Sequence, residues 1–182
     1  MIGLYIIYEK KSKMSSIKIH TFDINSPEWE MDLLEWLVPM EVAYQKEFSS
    51  KSLNFWRPVN EESALRWIKG EVRDRYHFLI ATCVEDIQKQ YSGYTSWCIR
   101  SSWFFDSNAT FVLPNFRRKW IWQQLKSTQI EYAKWKWCEW FTTIINVVNV
   151  EAYEMMKLLW CRFDKILWIE DDLIWWRVYL DF

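Results

Sequence analysis

The chain has 182 residues and a formal net charge of −1, which suits one compact domain with a sizeable core. A charge so close to balance creates no overall field that would attract nucleic acid or an anionic membrane. The four cysteines form no Cys-x-x-Cys pair, which argues against a metal site and favours buried reduced thiols in a cytoplasmic protein.

The amino-terminal residues do not have the pattern of a targeting signal. In residues 1–13 the lysines follow the apolar run instead of preceding it, which is the wrong order for a secretory leader. No apolar run is long enough to span a bilayer. Because Met14 comes just before the first clear strand, we expect residues 1–16 to be an extension, either a mis-assigned start or a short disordered tail. Residues 17–182 should form one domain.

Hydrophobic periodicity predicts a mixed α/β domain, since runs with strand periodicity alternate along the chain with runs of helical periodicity. The predicted strands lie at 17–22, 78–84, 93–99, 109–113, 141–148, 165–169 and 177–182. The predicted helices lie at 31–48, from Asn60 through Ile68, at 120–136 and at 151–159. Pro39 should break or kink the first helix, Asn60 can cap the second, and residues 101–108 are predicted to be a loop.

Glycine is scarce in this chain and tryptophan is abundant. It has 3 Gly and 15 Trp, whereas an average chain of this length would have about 13 glycines. The most informative segment is 112–122, where an apolar strand ends, passes through a basic turn and enters an amphipathic helix. Backbone N–H groups at such a helix N-terminus can hold a phosphate. Glycine is favoured where the ligand approaches the backbone, yet Trp120 and Trp122 occupy those two positions.

This loop and the order of elements resemble the GNAT superfamily of acyl-CoA N-acyltransferases over residues 17–182. The loop of that family has the pattern Q/R-x-x-G-x-G/A, and residues 117–122 match it except at both glycines. A family helix ending in K-x-G-C corresponds to residues 133–138, again with tryptophan for glycine. The next block corresponds to Asn149, Ala152, Met155, Met156, Trp160 and Cys161. The resemblance implies a central, mostly antiparallel sheet flanked by helices.

Tryptophan thus stands at four positions where the family pattern has glycine: Trp120, Trp122, Trp137 and Trp160. The last two follow helices, where a left-handed residue is usually glycine. Trp175 and Trp176 stand where a Gly-Gly hairpin turn would be natural. One cause would explain them all, namely UGA codons that the host reads as glycine and conceptual translation writes as tryptophan. The alternative is a genuine tryptophan-rich, decayed homologue.

The resemblance implies that the site binds acetyl-CoA and no metal. Backbone amides of 117–122 would hold the pyrophosphate, and the strand end at 111–113 would pair with the pantetheine. Asn149 stands at the position of a cofactor contact, although it could equally be a helix cap. The implied cofactor-binding residues are Phe111, Val112, Leu113, Arg117, Arg118, Lys119, Trp120, Ile121, Trp122 and Asn149.

The implied reaction is direct attack of a primary amine on the thioester, which needs a base and usually an acid for the departing thiolate. The family's usual acid is a tyrosine at the position of Met156, which cannot donate a proton. Tyr153, one turn earlier, is the catalytic candidate, and packing is its competing interpretation. No base is evident, because Asn108 and Thr110 stand on the strand where many relatives have glutamate.

Two other functions remain open. If Trp120 and Trp122 are genuine, the chain would be a catalytically inactive GNAT-like binding module. Alternatively, residues 134–137 with 117–119 could stack on single-stranded nucleic acid, although the balanced charge argues against this. The expected partner is therefore an amine-bearing small molecule or protein, with neither nucleic acid nor membrane, and the oligomeric state is open.

Overall fold

The protein is a mixed α/β fold, seen here in a computed structural model that describes residues 10–11, 16–22, 29–51, 58–74, 76–85, 88–101, 104–118, 120–146, 149–159, 161–170 and 173–182. The strands are β1 (Lys10–Lys11), β2 (Ser16–Phe22), β3 (His77–Glu85), β4 (Gln88–Ser101), β5 (Phe104–Val112), β6 (Trp140–Asn146), β7 (Arg162–Glu170) and β8 (Leu173–Asp181). The helices are α1 (Trp29–Asp32), α2 (Val38–Lys51), α3 (Glu61–Arg73), α4 (Ile121–Trp135) and α5 (Val150–Leu158).

The described strands form one sheet in the order β1-β2-β3-β4-β5-β6-β8-β7. Every neighbouring pair is antiparallel except β5 and β6, which are parallel and joined by the crossover helix α4. The predicted mixed α/β class with a mostly antiparallel sheet is therefore confirmed. The parallel pair matters most for function, because a crossover helix begins at the carboxyl end of its first strand.

Two hydrophobic clusters hold the helices against the sheet. One packs α4 and α5 on the strands through Leu125, Phe141 and Met156, which are fully buried. The other packs α2 and α3 through residues such as Ile68 and Phe78. Burying one such side chain stabilises a fold by about 1.5–3 kcal/mol, so these clusters fix the helix positions that shape the site.

The predicted loop at 101–108 is wrong, because β5 begins within it. Its polar residues obscured the strand pattern. Ser107 is buried and donates a hydrogen bond to Oε1 of Gln129 in α4 (2.8 Å), and Asp106 accepts one from Nε of Arg100 in β4 (2.6 Å). These long-range partners satisfy polar groups that in isolation favour a loop.

The predicted turn at Trp175 and Trp176 is also wrong, since both residues lie inside β8. They stand opposite Asn146 and Ile145 of β6 in the ladder. The connection between β7 and β8 is earlier in the chain, at residues 171–172, which lie outside the described part. These two positions therefore do not form a turn, and their place in the strand does not call for glycine.

Pro39 does not end the first predicted helix, which continues to the end of α2. A π-helical turn, Leu33–Leu37, precedes the proline. Proline has no N–H and its ring clashes with the carbonyl four residues earlier, and the wider π turn alters the backbone where that clash would arise. Asn60 caps α3 as predicted, its Oδ1 accepting from the Ser63 N–H at 2.8 Å.

Part of the expected extension joins the sheet. Lys10 and Lys11 pair with Ile17 and Ser16 of β2, which makes β1 an edge strand. The rest of residues 1–15 lies outside the described part of the chain. The division into an extension and one domain from residue 17 onward stays a prediction.

The cysteines that the structure describes are buried free thiols, as predicted: Cys98, Cys138 and Cys161. The side chain of Cys83 lies outside the described part. Within the described ranges, no helix has both the length and the apolar character needed to cross a bilayer. The same residues contain no cluster of three or more His, Cys, Asp or Glu side chains placed to hold a metal ion.

Candidate active site

A cleft of about 960 Å³ opens at the N-terminal end of α4 and adjoins a smaller cavity of about 110 Å³. Both lie where β5 and β6 separate, since the described pairing of these strands ends at Ser107 and Thr143 although both strands continue. The predicted cofactor-binding residues that line the cleft are Phe111, Val112, Arg117, Arg118, Trp120, Ile121, Trp122 and Asn149. Leu113 is not among the lining residues, and Lys119 lies outside the described chain.

The loop that enters α4 has a backbone suited to glycine. Arg118 and Trp120 have φ angles of 64° and 62°, in the left-handed region. This conformation costs an L-residue with a Cβ about 1–2 kcal/mol. Burial does not offset that cost at Trp120, whose side chain is 66 % exposed. A left-handed residue next to the first helical residue turns successive N–H groups toward one concave surface, an arrangement that binds anions.

Trp122 differs from Trp120 because it lies inside α4, where its backbone is helical. Its indole is half-buried and packs against the core. The ring lines both cavities, and its centroid is 5.6 Å from Nζ of Lys126. Glycine at position 122 would therefore enlarge the two cavities, but it would not relieve backbone strain, because the backbone there is already helical.

Trp137 occupies a second glycine-like position, at the C-terminus of α4. Its φ is 59°. Its N–H donates to the Lys134 carbonyl (2.9 Å), and the Cys138 N–H donates to the Ala133 carbonyl (3.0 Å). These two bonds define a Schellman motif, whose left-handed residue is usually glycine. At the end of α5 the Cys161 N–H donates to the Met156 carbonyl in the same way (3.2 Å), across Trp160, which lies outside the described residues.

Replacing Trp137 by glycine should raise the free energy of unfolding by about 1 kcal/mol, because glycine has no Cβ to clash in this conformation. Little burial is lost, since the indole is 87 % exposed. Urea denaturation measures the change. The matched control is Trp135→Gly: Trp135 is also exposed but helical, so glycine there should lower stability by about 1 kcal/mol. Equal losses at both positions would contradict the prediction.

The basic turn is not a cluster of free cations. Arg117 forms an ion pair with Glu47 of α2, and its Nε donates to the Val112 carbonyl at 3.2 Å. Two further carboxylates, Glu151 and Glu154, line the cleft. The lining charges therefore nearly balance, and anion binding would have to come mainly from oriented backbone N–H groups.

The backbone groups of β5 that face away from β4 coincide only in part with the predicted pantetheine-binding residues at 111–113. The Leu113 N–H is already bonded to the Ser92 carbonyl of β4 (2.9 Å). Because backbone groups alternate between the two edges of a strand, those of Thr110 and Val112 point toward the gap beside β6. On the other edge, a Cβ at Gly93 would lie 2.6 Å from the Phe111 carbonyl oxygen, so glycine there lets β4 approach β5.

Comparison with protein-family models and with curated protein sequences gives no match. Solved structures do match over nearly the whole chain. An N-acetyltransferase from Staphylococcus aureus Mu50 superposes with a TM-score of 0.64 and 16% identity, over 91% of this chain and 98% of that one. A GNAT-family protein from Desulfovibrio desulfuricans gives 0.62 and 10%, over 91% and 98%. A Salmonella typhimurium protein crystallised with acetyl-CoA gives 0.63 and 16%, over 91% and 93%.

The chain has the GNAT fold. The resemblance drawn from residues 117–122 is thereby confirmed for the fold. Within this GNAT fold the loop stands at the N-terminus of the crossover helix, beside the gap between the parallel strands.

The GNAT fold does not bring Tyr153 to either cavity. Its ring packs against Phe163, with centroids 4.7 Å apart, and Lys157 Nζ lies 5.1 Å from its centroid. Met156, where the resemblance places the acid tyrosine, lines the smaller cavity. Asn149 caps α5, its Oδ1 accepting from the Ala152 N–H at 3.2 Å, and it also lines both cavities.

Sequence reasoning missed Lys126, a lysine of α4 that lines the smaller cavity. It is 2 % exposed, and its Nζ donates to Oγ of Ser107 at 2.5 Å. Burial lowers the pKa of Lys126 to about 7. A signal existed in the sequence, because Lys126 lies one turn after Trp122 and one turn before Ile130, within the apolar stripe of the helix.

A buried acidic group in contact with Asn108, a residue of the small cavity, was also missed. The Asn108 side-chain amide, which lines this cavity, donates to Oε1 of Glu71 from α3. Burial and the nearby charge of Glu41 raise the pKa of Glu71 to about 7. Glu41 in turn accepts hydrogen bonds from the Tyr94 hydroxyl and from Nε2 of Gln45 (3.0 Å). A carboxyl group from α3 is therefore hydrogen-bonded to Asn108, which stands on the strand where the resemblance leads one to expect glutamate.

Proposed function

We propose that this protein is an N-acetyltransferase that moves the acetyl group of acetyl-CoA to a primary amine by direct attack. The observation that carries the proposal is the left-handed backbone at position 120, at the mouth of a large cleft and at the N-terminus of α4. Such a backbone presents N–H groups to an anion, and the diphosphate of acetyl-CoA is an anion that the cleft has room for.

The described residues fit this cosubstrate along the length of the cleft. The first N–H groups of α4, with Arg118, would hold the diphosphate. The Thr110 backbone groups and the Val112 N–H would pair with the pantetheine amides, as a neighbouring strand would, while the Val112 carbonyl accepts from Arg117. Acetyl-CoA supplies a thioester carbonyl as the electrophile, and an N–H at this edge could stabilise the charge that develops on the carbonyl oxygen.

We also propose that positions 120, 122, 137 and 160 are glycine in the cell, written as tryptophan because UGA codons were translated with the standard meaning. The left-handed φ angles at Trp120 and Trp137 support this, since both side chains are exposed and gain little from burial. A fold match without a match to any family model is also what missing glycines would produce. The codons test the proposal directly: TGG at 120 and 122 would refute it.

The rival proposal, an inactive binding module, is favoured by one observation. Trp122 lines both cavities, so a genuine indole there would stand between the cleft and the gap beside β6. Intact peptides from the source organism that contain tryptophan at both 120 and 122 would support this alternative.

The acceptor class is tested by thiol release from acetyl-CoA, using protein with glycine at 120 and 122. The panel contains a peptide with a free N-terminus, a lysine peptide, a polyamine and an aminoglycoside. One structural neighbour, from Brucella melitensis, is named a ribosomal-protein-alanine N-acetyltransferase, which makes the peptide a natural first substrate. We expect amine-dependent release with at least one class, and release with none would contradict the proposed function.

A further inference from the structure

The proposed reaction lacks an obvious proton donor for the departing sulfur. Met156 stands where the family resemblance places a tyrosine, and Tyr153 packs outside the cavities. Met156 nevertheless marks the place where such a donor would be needed. Lys126 lines the same small cavity of about 110 Å³ as Met156.

The surroundings of Lys126 leave its ammonium without a carboxylate in contact among the described residues. Its hydrogen bond there goes to the Ser107 hydroxyl. The rings of Trp122 and Phe141 have centroids 5.6 and 5.9 Å from Nζ. The carboxylate of Asp106 in β5 is hydrogen-bonded to Arg100 and Thr142. It therefore interacts with the Lys126 ammonium only electrostatically, over a longer distance.

The remaining titratable neighbour is the Cys161 thiol, after α5. Burial raises the pKa of Cys161 to about 11, so it is a neutral thiol near pH 7. Ser107 is itself held by Gln129, to which it donates at 2.8 Å, and Gln129 donates to Oγ1 of Thr95 at 2.8 Å. This buried network fixes the end of the lysine side chain at the base of the gap between β5 and β6.

We propose that Lys126 is the catalytic acid of this protein, donating a proton to the sulfur of CoA as the thioester is cleaved. This inference rests on the proposed function. The neutral amine nitrogen forms a bond to the carbonyl carbon, and the C–S bond breaks with its electron pair going to sulfur. The sulfur takes a proton from the Lys126 ammonium. The new amide nitrogen loses a proton to solvent, and solvent returns one to Lys126.

The pKa values of Lys126 and of an alkyl thiol favour this proton transfer. In the chain with tryptophan at position 122, whose ring centroid lies 5.6 Å from Nζ, burial lowers the pKa of Lys126 to about 7, whereas a free alkyl thiol such as that of cysteine has a pKa of about 8.5. Proton transfer from this ammonium to a thiolate is therefore favourable. An ordinary exposed lysine, with a pKa of about 10.4, would hold its proton too firmly.

The test compares the binding of CoA and desulfo-CoA by isothermal titration at pH 8, with glycine at positions 120 and 122. If Lys126 meets the sulfur, CoA should bind about five-fold more tightly than desulfo-CoA, since at pH 8 Lys126 is largely a neutral amine and only CoA has a thiol that can donate a hydrogen bond to it. Lys126→Met, and Lys126→Gln as a polar second variant, should reduce this ratio to about one. The matched control is Lys134→Met, an exposed lysine of the same helix, which should keep it.

The outcomes separate the two proposals. Equal affinity for CoA and desulfo-CoA in the protein with Lys126 would overturn the assignment of this residue and leave the acetyl-CoA site standing. A preference for CoA that survives both Lys126 substitutions would overturn it as well. Binding of neither ligand would overturn the proposed function and the inference together.

Discussion

Replacing Trp120 and Trp122 together by glycine should strengthen acetyl-CoA binding by about 100-fold, or roughly 2.7 kcal/mol. Most of the gain should come from position 122, because its indole lines both the cleft and the cavity between β5 and β6. Position 120 should contribute through removal of an indole that lines the cleft, since relief of its left-handed backbone stabilises the free and the bound protein alike. Isothermal titration of the chain as written, the two single variants and the double variant measures each part.

Trp135→Gly is the control for a general effect of removing an exposed indole from α4. It should leave the affinity unchanged, since Trp135 lines neither described cavity. Tight binding of acetyl-CoA by the chain with both tryptophans would show that the indoles do not obstruct the site. That result would remove the steric part of the argument for glycine at position 122.

Replacing Glu71 by glutamine should raise the free energy of unfolding at pH 8 by about 3 kcal/mol. The folded-state pKa of Glu71 is raised to about 7 from an ordinary value of 4.5. The stability it contributes is therefore fully present below about pH 4.5 and is lost as the pH rises to 7. The two proteins should be equally stable at pH 4 and diverge above it, because glutamine stays neutral and still accepts from Asn108.

Urea titrations at several pH values test this expectation. Glu62→Gln is the matched control, a carboxylate of the same helix that is 80% exposed and paired with Arg66. A surface pair of this kind contributes about 0–1 kcal/mol, so its substitution should change stability little at any pH. A Glu71→Gln effect that is independent of pH would show that the carboxyl group does not titrate between pH 4.5 and 7 in the folded protein.

Local sequence signals predicted most of the elements correctly, and the reason is short-range physics. Asn60 caps α3 because its side chain reaches an N–H only three residues away. The glycine-like character of position 137 follows from the end of α4, which is a local event. The wrong predictions concern residues whose structure is determined by partners that are distant in the sequence. Asp106 and Ser107 belong to a strand because β4 and α4 satisfy their side chains.

The sequence alone was enough to establish the order of the elements and the GNAT resemblance. It also indicated that Trp120 and Trp137 occupy positions suited to glycine. Each of these inferences depends on residues that are close together in the chain. Only the tertiary structure decided that Arg117 pairs with Glu47 and that Lys126 ends in a cavity beside Met156. Charge state and proton transfer depend on burial and on neighbours from other elements. Those neighbours are set by packing across the sheet, which no local pattern encodes.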